Sequence, residues 1–167
     1  MKLMRIFWLA IALCSLTQAQ APLTLNLERF LVTQEEQEGK VIDVLSEAFE
    51  SQPGQIIQET LTASNVSSDL LKQIGLVIPV PEGTSYLAQT ANPLSLTNQI
   101  IIPEFSFDGG NNFAQPPLMK SVKLIEDGKE IEKEVEVLPE EYTHVRWLVP
   151  TLDSKEQISV SFRAMVR

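Results

Sequence analysis

The chain is poor in the residues that most reaction chemistry needs. It has one cysteine, Cys14, and one histidine, His144, in 167 residues. Cys14 falls within an N-terminal leader, so the remainder holds no thiol. That excludes a disulfide, a cysteine zinc site and a cysteine nucleophile there. A catalytic triad or a multi-histidine metal centre needs partners that His144 lacks. It reads as a surface or half-buried histidine in a strand beside Arg146. Basic residues are also scarce, 13 against 22 acidic ones. The resulting charge of −9 repels phosphate backbones and anionic lipid and excludes nucleic acid as a partner. No glycine loop of the phosphate-binding kind occurs. No apolar run approaches the ~20 residues of a membrane-spanning helix, and no segment after residue 22 keeps a helical period.

The first residues follow the layout of a secretory signal peptide. Lys2 and Arg5 make a short basic start, Ile6 to Leu13 is unbrokenly apolar, and small or polar residues follow. Cleavage after Ala19 uses Thr17 and Ala19 as the small residues. Cleavage after Ala21 uses Ala19 and Ala21, but Pro22 beside the scissile bond hinders it. Lipidation at Cys14 wants a small residue before the cysteine, and Leu13 is large. The expected division is a signal peptide over 1–19 and one domain over 20–167. Loss of Lys2 and Arg5 from the 13 basic residues leaves 11 against 22 acidic ones, a charge of −11. Export without disulfides requires a domain held by its core alone, which a chain of this size can build.

What the sequence has is period-two alternation, broken by Pro, Gly, Asn and Asp. Leu23, Leu25 and Leu27 alternate with polar residues and begin a first strand to about Thr33, followed by a charged loop, Gln34 to Gly39. Lys40 to Ser51 suits a helix face or a strand. Gln55 to Ser64 is a strand with Ile57, Leu61 and Ala63 on one side, and Ile74 to Val80 is another. Thr84 to Ala88 is short and extended. Pro103, between Gln99–Ile102 and Glu104–Phe107, marks an edge or a kink. Ser121–Glu126 and Glu130–Val137 flank Asp127-Gly128, a two-residue hairpin signal. Their Lys- and Glu-rich faces imply a ribbon in solvent or a guarded edge. Tyr142–Val149 and Gln157–Arg167 close the chain, with Val145, Trp147, Ile158, Val160 and Phe162 as expected core. Seven or more strands with regular turns predict an all-β protein, an immunoglobulin-like β-sandwich.

The candidate sites are turns. Pro53-Gly54 and Pro81-Glu82-Gly83 are chain reversals. Asn65-Val66-Ser67 is a glycosylation sequon, or simply an asparagine ending a strand. Ser106 to Phe113 resembles the Asp-box hairpin, with Asn112 at the usual threonine and Phe113 at the aromatic position. In it Asp108 accepts backbone N–H bonds and glycines such as Gly110 take positive φ. A calcium loop on Asp108, Asn111 and Asn112 is the alternative, but calcium wants six to eight oxygens and this stretch has one carboxylate. The pairs Glu35-Glu36 and Glu140-Glu141 read as solvated charge rather than as a glycosidase acid pair.

Two stretches carry a family resemblance: Pro53 to Asn65 (PGQIIQETLTASN) and Val80 to Tyr86 (VPEGTSY). With the closing pair Val145–Pro150 and Ile158–Arg163, they resemble the conserved repeat family called domain of unknown function eleven, over roughly residues 40 to 167. Glu59 stands where that family usually has tyrosine, so a core aromatic is missing or the face is exposed; Gln55 replaces its usual aspartate. The resemblance implies an immunoglobulin-like sandwich on exported bacterial or archaeal surface proteins, with no catalysis; no cofactor is expected. The expected function is a structural or interaction module of the cell envelope with a protein or glycan partner. A strand-exchanging filament subunit, self-associating through Pro22 to Thr33, and a carbohydrate-binding module are the alternatives. No membrane anchor is expected after the leader.

Overall fold

The computed structural model describes residues 21–48, 50–97, 99–126 and 129–167. The expected signal peptide and the Asp127-Gly128 turn lie outside the described residues. Among the described residues twelve strands follow one another: β1 Leu23–Gln37, β2 Lys40–Glu47, β3 Ile56–Asn65, β4 Leu71–Pro79, β5 Thr84–Tyr86 and β6 Leu94–Leu96. Then come β7 Gln99–Ile101, β8 Glu104–Ser106, β9 Met119–Glu126, β10 Lys129–Glu136, β11 His144–Leu152 and β12 Gln157–Val166. A 3₁₀ turn, Pro139–Glu141, precedes β11.

Two antiparallel layers make a β-sandwich. The larger has the order β2-β1-β3-β12-β5 and the smaller β4-β11-β8. Alternation decides which side chains meet between them. From the larger layer come Ile57, Leu61 and Ala63 of β3 with Ile158, Val160, Phe162 and Ala164 of β12. From the smaller come Ile74, Leu76 and Ile78 of β4, Phe105 of β8, and Val145, Trp147, Val149 and Leu152 of β11. Each large side chain removed from water here contributes about 1.5–3 kcal/mol. Trp147 is wholly buried, and its indole N–H donates to the Asn92 carbonyl at 3.0 Å. Tyr86, Phe105, Tyr142 and Phe162 cluster at one end, with ring centroids 5.0–5.7 Å apart.

The long β1 serves two partners. Leu23 to Val32 pairs with β3, and Phe30 to Gln37 pairs with β2. The charged stretch Gln34 to Gly39, expected as a loop, is therefore mostly strand, with a tight turn at Glu38 (φ 53°) and Gly39 (φ 75°). The ambiguous Lys40 to Ser51 stretch begins as β2. This hairpin leans over the outer face of the layer, where Asp43 meets Arg163 of β12 at 2.6 Å. Pro103 lies between β7, which pairs with β6, and β8, which pairs with β11. It marks a passage between two sheets.

β9 and β10 form a two-stranded sheet of their own, inserted between β8 and β11. Its register runs from Lys129 opposite Glu126 to Glu136 opposite Met119. The ribbon is rooted where the Val137 N–H donates to the Leu118 carbonyl at 2.8 Å, both residues being buried.

Candidate functional site

The expected turn from Ser106 to Phe113 stands at one end of the smaller layer, between β8 and the root of the ribbon. The Asp108 carboxylate organises it. Its Oδ1 accepts from the Ser106 hydroxyl at 2.7 Å and from the backbone N–H groups of Asn111 and Asn112 at 3.1 and 3.0 Å. Its Oδ2 accepts from the Asn112 side-chain amide at 2.7 Å. Bonds to the ionised form favour it. The Asn112 N–H first, then the Ser106 hydroxyl, hold this carboxyl well below the usual range. The Asn112 side-chain amide closes the turn by donating to the Asp108 carboxylate.

At Gly110 the backbone conformation asks for glycine, and the space beside it is closely filled. The residue has φ 85°, and an added Cβ would lie 3.4 Å from the His144 ring. His144 Nδ1 is 3.1 Å from the Thr143 hydroxyl, which donates to the Ser106 carbonyl and accepts from the Gly109 N–H. The lone histidine thus packs on the turn as part of its frame. The oxygens that a calcium ion would use at Asp108 already accept hydrogen bonds within the turn. Among the described residues no three His, Cys, Asp or Glu side chains converge to hold a metal.

Beside the turn is a cleft of about 290 Å³, lined by Phe105, Phe107, Asp108, Phe113 and, from the ribbon root, Leu118 and Met119. Arg146 lies over the Phe113 ring at 4.1 Å and pairs with Glu104 at 2.6 Å. Turn, cleft and ribbon root form one continuous surface.

The other turn residues sit apart from it. Gly54 takes φ 85° after Pro53 and donates its N–H to the Val166 carbonyl. Gly83 takes φ 75°, and Thr84 closes that turn by donating to the Pro81 carbonyl. Asn65 ends β3 and is buried. Its amide nitrogen donates to the carbonyls of Asp69, Leu152 and Asp153, and its oxygen accepts from the Ser67 N–H and hydroxyl. An asparagine so occupied has no room for a glycan. The expected core residues Val145, Trp147, Ile158, Val160 and Phe162 are all buried.

Of the two alternatives read at Glu59, the exposed face is not what is found: Glu59 is 2% exposed, stands itself at the inward position without an aromatic, and accepts from Arg29 Nε at 2.5 Å. Alternation along β3 points to this burial, because Glu59 shares parity with Ile57 and Leu61. The division of the ribbon's side chains between its two faces follows from the pairing register. Register puts Val122, Leu124, Ile131 and Val135 on one face with Lys120, Lys129, Lys133 and Glu126. Glu130, Glu132, Glu134 and Glu136 line the other with Met119, Lys123 and Ile125, and Lys123 pairs with Glu130.

No family model, curated protein or solved structure matches the chain.

Proposed function

We propose that the chain is an exported, non-catalytic interaction module of a bacterial cell envelope or surface, built as an immunoglobulin-like sandwich that presents a β-ribbon to a protein or glycan partner. The observation that carries this reading is the ribbon itself. A free two-stranded hairpin is marginal in water, and this one holds Val122, Leu124, Ile131 and Val135 on one face and leaves Ile125 and Met119 exposed among four glutamates on the other. Such a ribbon gains most by being covered. The Asp108 turn supports its root, and the sandwich serves as its mount.

The immunoglobulin-like assignment rests on spatial order. β1-β3-β12-β5 facing β4-β11-β8 reproduces the A-B-E-D and C-F-G layers of that fold, with every neighbouring pair antiparallel. The chain visits the last three positions in the reverse order. Export rests on the leader.

The test combines localisation with excision. The tagged chain, expressed in a bacterium, should begin at Gln20 by mass and be reached by protease outside the inner membrane. A variant with Met119 to Glu136 replaced by a two-residue turn should stay folded and exported, yet lose its cross-links to envelope components. Retention of an intact N-terminus in the cytoplasm overturns export. Unchanged cross-linking after excision overturns the role of the ribbon.

A further inference from the structure

The edges of a sheet show where a chain invites pairing, because natural proteins blunt those that must stay free. Among the described residues nearly every edge here is blunted. On β4, Pro79 offers no N–H and Gln73 breaks the extended edge at φ 54°. β2 carries Lys40, Asp43 and Glu47, with Asp43 held to Arg163. β5 and β8 have three residues each, and β8 is bridged from its other side by Ala114. The ribbon strands are guarded by Lys120, Lys123 and Glu126 on β9 and by Lys129, Glu130, Glu132, Lys133, Glu134 and Glu136 on β10.

β6 and β7 are uncharged but have three residues each, so the first half of β1 is the one long exception among the described residues. Leu23-Thr24-Leu25-Asn26-Leu27 carries no charge, and β2 covers β1 only from Phe30 onward. The Pro22 carbonyl accepts from Val66 on the β3 side, whereas the Arg29 carbonyl accepts from Ala48 on the β2 side. In an antiparallel strand the N–H and C=O of one residue face the same way, and successive residues alternate. Leu23, Leu25 and Leu27 therefore direct three N–H and three C=O groups outward. Their side chains fall on the inner face of the larger layer, where Leu23 packs against the rim of the core and the other two lie beyond it. Leu25 and Leu27 are 56% and 50% exposed there.

We propose that this edge pairs with the same edge of a second copy, antiparallel across a twofold axis through Leu25. In that register Leu25 faces Leu25, Leu23 faces Leu27, and all six outward groups of each copy find partners. Thr24 meets Asn26, Glu28 meets Pro22, and no like charges are opposed. Self-complementarity of both hydrogen-bond parity and charge is what selects a second copy. The two larger layers become one continuous sheet, and the symmetry closes at the dimer. Each copy is strongly acidic and the contact itself is uncharged, so added salt favours pairing by screening the repulsion between copies.

Cysteine cross-linking tests the register, using the full chain as processed by its expression host and carrying Cys14→Ser. Hydrogen-bonded residues facing one another have Cα atoms ~5.5 Å apart, within disulfide reach. Leu25→Cys should therefore form a disulfide-linked dimer in a glutathione redox buffer, and Leu27→Cys should not. In light scattering the parent chain should approach twice its monomer mass with concentration and salt. Leu25→Pro should remain at the monomer mass, because it removes only an outward N–H. Leu25→Lys should do the same and serves should the proline variant fail to fold. A parent chain monomeric at every concentration, equal cross-linking at both positions, growth past the dimer, or a dimer that survives Leu25→Lys overturns the proposal.

Discussion

Glu59 sits in the middle of the larger layer with Arg29 on one neighbouring strand and Phe162 on the other. Removing one partner of a buried ion pair leaves the other charge stranded, which costs about 3–5 kcal/mol. The two sides are unequal here, because Arg29 is 46% exposed and can swing to water whereas Glu59 cannot. Arg29→Leu should destabilise by about 3 kcal/mol, Glu59→Leu by much less, and the double variant should recover most of the loss; urea midpoints check all three. Asn65 gives a second asymmetry. Asn65→Ala abandons buried carbonyls and should cost about 2–3 kcal/mol. Asn65→Asp should cost more, since it turns an acceptor toward three carbonyl oxygens. At Asp108 the folded value lies below the unfolded one. Its contribution is therefore present above the ordinary carboxylate range and is lost as pH falls through the folded value. The stability gap between the parent and Asp108→Ala should be widest near neutrality and shrink below about pH 4, as read from urea midpoints across pH.

Strands that bury one face announce themselves, and those that bury neither do not. β3 and β12 alternate cleanly because each lays one set of side chains into the core, so their positions and inward residues could be read directly from sequence. The far half of β1 and all of β2 are almost wholly exposed, so no apolar rhythm marks them. Only backbone pairing makes them strands. The Asp108 turn was legible because its geometry depends on its own side chains. The cleft beside it was not, since it joins β8 to the ribbon root, which only the fold brings together. The same contrast predicts an order of opening. Amides of β2, β9 and β10 should exchange with solvent fastest, and those of β3, β11 and β12 slowest, in hydrogen-exchange mass spectrometry.

At the scale of the molecule, strand positions follow from alternation and turns, but the order in which the chain visits them does not. β12 returns to β3 across the sandwich, a pairing between residues about a hundred positions apart that no local pattern encodes. That return has a mechanical consequence. β1 begins opposite Asn65, at one end of β3, while β12 finishes opposite Ile56, at the other. Tension between the two ends of the domain would draw β1 and β12 in opposite directions along β3. Both ladders would be loaded in shear, with their hydrogen bonds sharing the force instead of unzipping one by one. The fold is thus strung to carry a pull along its length, and stretching single molecules should meet one high rupture event in which β1 and β12 leave β3 together.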